Sequence, residues 1–351
     1  MIRASHRDII VIGASAGGVT ALKGVIRELP PDLPASLFVV LHTVPRGVSQ
    51  LAPILDAAGP LRASFAEDGE GIRYGHVYVA PPDRHLLLRD SHVHLTRAPK
   101  ENRTRPAVNP LFRSAAAAYG RRVVGVVLTG TLDNGTAGLL AVEAGGGTTV
   151  VQDPEDAEFP GMPLSALDYL DPDHVVTAAE LPGLLVELVG EEMAESGPER
   201  LDGAVVNNPG PDDSIGTHQR GPGPDLTELG SREVRPPNTA SGFTCPECSG
   251  ALWEVEERGL TEYVCRIGHL FGPETLLEEH AERRDDLLET ALRSIEEESA
   301  LTARLLERGR ERGLSEHRLR RHVQRIRTLE RTAASLEHLL REESPPAEAA
   351  E

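Results

Sequence analysis

Cysteine is scarce in this chain, with three among 351 residues. That excludes a disulfide framework and fits a reducing compartment, so the sequence reads as a bacterial-type cytoplasmic protein. No apolar run approaches the roughly 20 residues of a membrane span, which excludes direct membrane insertion. The start, Met1 to Ile12, is too short for a signal peptide and runs straight into a glycine-rich turn. Basic charge is also short. The net charge is −19, and Lys23 and Lys100 are the only lysines. Residues 1–190 hold 16 basic and 21 acidic residues, and residues 191–351 hold 20 and 34. Neither half has the basic footprint of a nucleic-acid binder, and adsorption to an anionic membrane is equally disfavoured. What remains is 39% hydrophobic and 26% charged, enough to bury a core, and the length suits two or three units.

Residues 1–190 alternate short β-branched runs with Ala/Leu-rich stretches. Strands are expected at Asp8–Ile12, Ser36–Leu41, His76–Ala80, His85–Arg89, His92–Thr96, Val123–Leu128 and Thr148–Gln152. Helices are expected at Gly18–Glu28, Val48–Ala58, Val108–Tyr119, Ala137–Glu143, Pro163–Tyr169 and Leu181–Val189. Alternation of this kind predicts an α/β domain with a doubly wound, mostly parallel sheet. Residues 191–241 are rich in Gly, Pro, Asp and Asn without periodicity and read as a disordered linker. Residues 242–272 form a compact cysteine-containing unit. Residues 273–342 are charged and helical, with Gly309 and Gly313 expected to break them into two helices. On the second, Leu319, Val323, Ile326, Leu329, Ala333, Leu336 and Leu340 recur at three- and four-residue steps. That seam suits a hairpin folding on itself and a homodimeric coiled coil equally. Residues 343–351 read as a disordered tail.

Three expected strand ends carry the chemistry. Gly13-Ala14-Ser15-Ala16-Gly17-Gly18 follows the first strand. Its small residues allow a tight turn and close approach of a ligand to the helix N-terminus behind it. A dinucleotide site looks similar but needs an acidic residue at the end of the second strand, where this chain has His42. The strand Val123–Leu128 leads into Leu128-Thr129-Gly130-Thr131-Leu132-Asp133-Asn134-Gly135. In a parallel sheet these ends share one edge, bringing Ser15, His42 and a carboxylate together. Such a set suits acyl transfer by a serine nucleophile, a histidine base and an acid that orients the histidine.

These motifs resemble those of the chemotaxis protein-glutamate methylesterase family (CheB). Tyr78-Val79-Ala80-Pro81-Pro82-Asp83-Arg84-His85, Arg105-Pro106-Ala107-Val108-Asn109-Pro110-Leu111-Phe112 and Phe159-Pro160-Gly161-Met162-Pro163 extend the likeness over residues 8–190. The resemblance implies hydrolysis of glutamyl methyl esters, and deamidation of glutamines, on a methylated chemoreceptor or related sensory protein. It implies no cofactor for catalysis. It makes Ser15 the nucleophile and His42 the base, with backbone N–H groups near Ala16, Gly17 and Thr131 as oxyanion donors. Arg105 and Met162, inside family motifs, are expected at the site's edge. Two departures stand out. The family pattern Leu-Thr-Gly-Met-Gly-X-Asp-Gly puts its catalytic Asp where this chain has Asn134, with Asp133 one residue before. The strand bearing Ser15 also begins within ten residues of Met1, with no receiver domain ahead of it, so regulation is expected from the C-terminal half or a partner.

Cys245-Pro246-Glu247-Cys248 and Cys265-Arg266-Ile267-Gly268-His269 have the spacing of a zinc ribbon. Three thiolates and one imidazole make a closed tetrahedral shell, the mark of structural zinc. His280 is a less well spaced alternative to His269. Trp253 and Tyr263 are expected to pack beside the metal. The leading expectation is a methylesterase with Asp133 or Asn134 as third member. The competing one is a receptor-binding adaptor without activity, argued from Asn134.

Overall fold

The computed structural model describes residues 6–42, 49–191 and 240–343. Nearly all of the expected linker and tail lies outside the described residues. Ala240 and Ser241, read as linker, begin a strand. The chain divides into two compact units, residues 1–276 and 277–351.

In the first unit the elements run β1 (Ile9–Ala14), α1 (Gly18–Glu28), β2 (Ser36–Leu41), α2 (Leu51–Ala58), β3 (Arg62–Phe65), β4 (His76–Val79), β5 (His85–Arg89) and β6 (His92–Thr96). They continue with α3 (Val108–Tyr119), β7 (Val123–Val127), α4 (Thr136–Ala144), β8 (Thr148–Gln152), α5 (Gly161–Tyr169), β9 (His174–Val176) and α6 (Leu181–Gly190). Seven strands form one sheet in the order β3-β4-β2-β1-β7-β8-β9, every pair parallel. β5 and β6 pair separately through a tight turn, with Asp90 and Ser91 at φ 49° and 61°.

The central strands are buried on both faces, so they read as continuous apolar runs. Alternate residues serve two cores. Ile10, Ile12 and Ala14 join Leu22, Leu55 and Leu185 of α1, α2 and α6. Ile9 and Val11 join Phe112, Leu139 and Met162 of α3, α4 and α5. This is the expected doubly wound class. β3 and β9 were not expected. Both are short edge strands with shallow burial, so neither leaves an apolar run to read.

After residue 240 come β10 (Ala240–Thr244), β11 (Ala251–Glu257), β12 (Leu260–Cys265) and β13 (Leu270–Phe271), an antiparallel ribbon. The β11–β12 turn is Arg258-Gly259, both with positive φ, as a two-residue hairpin of type I′ requires. Leu260, just past the turn, is buried in the α3–α5 core, so the ribbon packs on the α/β domain. Leu252 and Phe271 fill the ribbon's own core with Tyr263 against it, whereas Trp253 is not part of that cluster.

α7 (Pro273–Glu311) leaves the ribbon and α8 (Glu316–Glu343) follows it. Within the second unit they form a hairpin. The turn falls at Gly313, with φ 66°, while Gly309 stays helical. A Cβ at Gly309 would lie 2.9 Å from Leu314, so glycine there serves close packing and does not end the helix. Leu306 and Leu329 are buried and Arg325 bonds Glu298 at 2.5 and 2.9 Å. On the α8 seam Leu329 is buried and Leu319, Val323, Ile326, Ala333, Leu336 and Leu340 are half-buried.

The close crossing of α3 and α4 yields a test. A Cβ at Gly138 would sit 2.7 Å from Phe112 Cβ and 3.2 Å from Asn109 Cα. Helix propensity favours Gly138→Ala by about 1 kcal/mol, but overpacking of about 1–3 kcal/mol opposes it. We expect a lower thermal midpoint; an unchanged or raised midpoint would mean the crossing has slack.

Candidate functional site

The strand order reverses at β1. The chain winds from β1 through β2 towards one edge and from β7 through β8 towards the other. In open parallel sheets this switch point opens a crevice at the carboxyl ends of the strands. Ser15 follows β1 there, His42 follows β2, and Thr129 and Gly130 lie just past β7.

Hydrogen bonds stitch the ends together. The His42 amide donates to Ala14 O at 3.2 Å, and the Ser15 amide donates to Thr129 O at 2.9 Å. The Thr129 hydroxyl donates to Ala16 O at 3.0 Å and accepts from the Phe159 amide at 2.9 Å. The Thr129 amide is held by Gln152 Oε1 at 2.8 Å. Residues without side chains allow this approach. A Cβ at Gly130 would lie 2.2 Å from Met162 Sδ and 2.8 Å from Ser15 Cβ. Gly17 adopts φ 73°, the left-handed turn that starts α1.

His42 is half-buried, yet its Nε2 is shielded from solvent and has no hydrogen-bond partner among the described residues. Burial lowers its pKa to about 4, so the ring is neutral and able to accept a proton at pH 7. Ser15 and Ala16 are partly accessible. Thr131 is exposed above Gly130, while Met162 is only 1% exposed and forms the floor beneath it.

The side chains of the expected acid residues bond other groups. Asn134 Oδ1 accepts from the amides of Val108 (3.1 Å) and Asn109 (3.4 Å), and its Nδ2 donates to Thr104 Oγ1. It therefore caps α3. Asn109 returns the favour, accepting from Gly135 and Gly138 at 2.9 Å each and so capping α4. Asp133 is 4% exposed and accepts from Asn102 Nδ2 at 2.8 Å and from the Thr275 hydroxyl. Its Oδ2 has no partner among the described residues. Burial first, and then the adjoining Glu274 carboxyl, push its pKa up to about 7. No hydrogen bond joins either residue to His42. The expectation that one of them orients His42 meets a physical obstacle: both side chains have other partners. Arg105, expected at the site's edge, is a strut. Its guanidinium bonds Asp83 at 2.6 and 2.9 Å and the carbonyls of Arg97 and Ala98. Sequence reading missed Thr129 and Asn109. Asn109 sits inside a helix, where nothing local marks it as a cap for another helix.

The second constellation lies in the ribbon. Cys245, Cys248, Cys265 and His269 offer ligand atoms all within 4.8 Å of one another. Cys248 and Cys265 sulfurs are 3.7 Å apart, and His269 Nδ1 is 3.7 Å from Cys245 and 3.5 Å from Cys265. Zinc–sulfur bonds of about 2.3 Å imply tetrahedral edges of about 3.8 Å, so the donors fit a tetrahedral ion. Cys245 is fully buried, and burial pushes its thiol up to about 12, so a cation is needed to hold it as thiolate. Two left-handed residues, Ser249 and Gly268, shape the knuckles.

The family model described as CheB methylesterase matches residues 10–185. The protein-glutamate methylesterase/protein-glutamine glutaminase 2 of Anaeromyxobacter dehalogenans is 41% identical over 186 residues, 53% of this chain and 54% of that protein. A putative protein-glutamate methylesterase/protein-glutamine glutaminase of Leptospira interrogans is 35% identical over 182 residues, 52% of this chain and 94% of that protein. The crystal structure of the Thermotoga maritima CheB methylesterase catalytic domain is similar at 38% identity and a TM-score of 0.50, covering 52% of this chain and 98% of that one. The chain thus spans about half the length of the Anaeromyxobacter relative, and the ribbon and helices lie outside the matched residues.

The reciprocal caps predict a stability effect at position 134. Asn134→Ala leaves the buried Val108 amide without its acceptor and should cost about 1–3 kcal/mol in urea denaturation. Asn134→Asp keeps an acceptor and should cost less. Equal stability of all three proteins would show that the cap contributes nothing.

Proposed function

Since this chain belongs to the CheB methylesterase family, we propose that residues 8–190 hydrolyse glutamyl methyl esters, and deamidate glutamines, on a chemoreceptor-type signalling protein in the cytoplasm. The observation that carries this reading is that Ser15 and His42 follow the paired ends of β1 and β2 at the switch-point crevice, with His42 neutral and its Nε2 unpartnered among the described residues. Among those residues no helix is long and apolar enough to cross a membrane.

In this reading Ser15 Oγ attacks the ester carbonyl and His42 takes its proton. The oxyanion is met by the Ala16 and Thr131 amides, with Gly17 keeping the turn open. His42 returns the proton to the leaving methoxide, releasing methanol; a glutamine releases ammonia. His42 then takes a proton from water, whose hydroxide attacks the acyl-enzyme, and returns that proton to Ser15 Oγ as the glutamate leaves. Met162 supports the turn from below, and Arg105 holds the loop before α3. The imidazolium formed in each step has neither Asp133 nor Asn134 as partner. In a serine protease, exchanging the orienting Asp for Asn lowers turnover about 10⁴-fold, so a slow enzyme is the expectation.

Asn134, at the family's catalytic Asp position and bonded to Val108 and Thr104, supports a second reading, a receptor-binding adaptor that keeps the fold without turnover. For the ribbon we propose zinc, which fits three thiolates and an imidazole in a closed shell and supplies cross-linking alone.

Methanol release from a methylated receptor fragment separates the two readings. We expect slow release by the wild type and none by Ser15→Ala. Release only by Asn134→Asp would favour the adaptor. A neutral His42 also sets the pH profile. Its pKa, lowered by burial, leaves the base unprotonated down to pH 5, so the acid limb of kcat/KM should fall near pH 4. A limb near 6.5 would show an exposed or carboxylate-paired ring.

A further inference from the structure

Both metal-binding knuckles touch one short loop of the α/β domain. In the first, Glu247 forms an ion pair with Lys100 at 2.6 Å. In the second, Gly268 lies against Pro99, where a Cβ would come within 3.1 Å of the proline ring. One residue past the ligand His269, Leu270 pairs with the same loop. Its amide donates to Lys100 O at 3.3 Å, and its carbonyl accepts from the Asn102 amide at 2.8 Å. Asn102 then links two directions. Its Oδ1 accepts from the Gly272 amide at 2.9 Å, and its Nδ2 donates to Asp133 Oδ1 at 2.8 Å.

Asp133 closes the circuit. It receives Thr275 Oγ1 from the first turn of α7, and its Oδ2 faces Gly272 so closely that a Cβ there would lie 1.8 Å away. The same turn carries Gly130 and Thr131 on its Ser15 side and Asn134 in the α3 cap. Thr104, which Asn134 bonds, belongs to the loop the knuckles touch. Asn102 and Arg103, at φ 45° and 63°, hold that loop in a left-handed conformation. None of these bonds lies within the ribbon: those of Glu247, Leu270 and Gly272 join it to the loop, and Asn102–Asp133 and Asn134–Thr104 join the loop to the turn.

We propose that Asp133 is a positioning residue through which the metal-bound ribbon holds the Thr129–Gly135 turn, so that metal occupancy of Cys245, Cys248, Cys265 and His269 sets the conformation of the Ser15 site. The consequence for turnover rests on the esterase reading; the coupling itself does not. With metal bound, the knuckles fix Leu270 and Gly272, and these fix Asn102 and Asp133. With metal removed, the knuckles lose their cross-link and the turn loses its outer wall.

The test is amide hydrogen exchange on the full chain, with metal content measured in parallel. Wild type loaded with zinc is compared with chelator-stripped protein and with Asp133→Ala and Gly272→Ala, both zinc-loaded. Stripping should raise exchange across residues 129–135 by at least about tenfold, and added zinc should reverse it. The two variants should show the same rise while keeping one zinc per chain, separating the latch from the metal site. If Asp133→Ala fails to fold, the stripped wild type and Gly272→Ala decide. Exchange across 129–135 that is unchanged while residues 245–269 lose protection would overturn the proposal. Because exchange needs no substrate, a wild type that releases no methanol would count against the esterase reading and leave this result standing.

Discussion

The hydrogen bond from the Ser15 amide to the Thr129 carbonyl joins two strand ends that the topology sends in opposite directions. Around it the packing leaves no room for a β-carbon on Gly130, and Met162 must be buried to fill the space below. Thr129 ties the same point to Ala16, Phe159 and Gln152. Ser15 is therefore held through Thr129, which Gln152 and Phe159 fix in turn. On the proposed reading, a nucleophile fixed in this way loses little freedom on reaching a transition state, which is the contribution a fold can make before any acid or base acts.

The third position of the expected triad shows how a helix cap can occupy a catalytic place. An acceptor at residue 134 satisfies the first amides of α3 whether it comes from Asn or Asp. With Asn, the second atom of the amide becomes a donor and finds Thr104. The neighbour at 133 supplies the carboxylate, yet its environment is dry and shared with Glu274, which raises its pKa to about 7, so that it is about half protonated near neutrality. A group in that state is poorly suited to stabilise an imidazolium and well suited to a buried joint between two substructures.

Some of this was legible in the sequence and some was not, for reasons of distance along the chain. Ser15 and His42 could be placed on one edge because each follows a buried apolar run, and parallel pairing aligns such ends. The Cys/His cluster of the ribbon could be found because knuckle spacing is local. The partners of Asn134 are 25–30 residues away, and Thr275 is 142 residues from Asp133. No periodicity records such pairs. Arg105 was expected at the site's edge because its acceptors, Asp83 and two carbonyls, come from other stretches that its own motif does not reveal. Of the two glycines expected to end a helix, Gly313 does so through its left-handed turn, whereas Gly309 serves the hairpin contact. Composition alone does not separate those roles.

The central claim is that Ser15 is a nucleophile activated by His42. Intact-protein mass spectrometry after treatment with a fluorophosphonate, a serine-directed reagent that needs no cognate substrate, tests it most directly. The account predicts one adduct per chain, mapped to Ser15, formed far more slowly in His42→Ala. A chain that takes no adduct, or takes one at Ser15 at the same rate without His42, would contradict it.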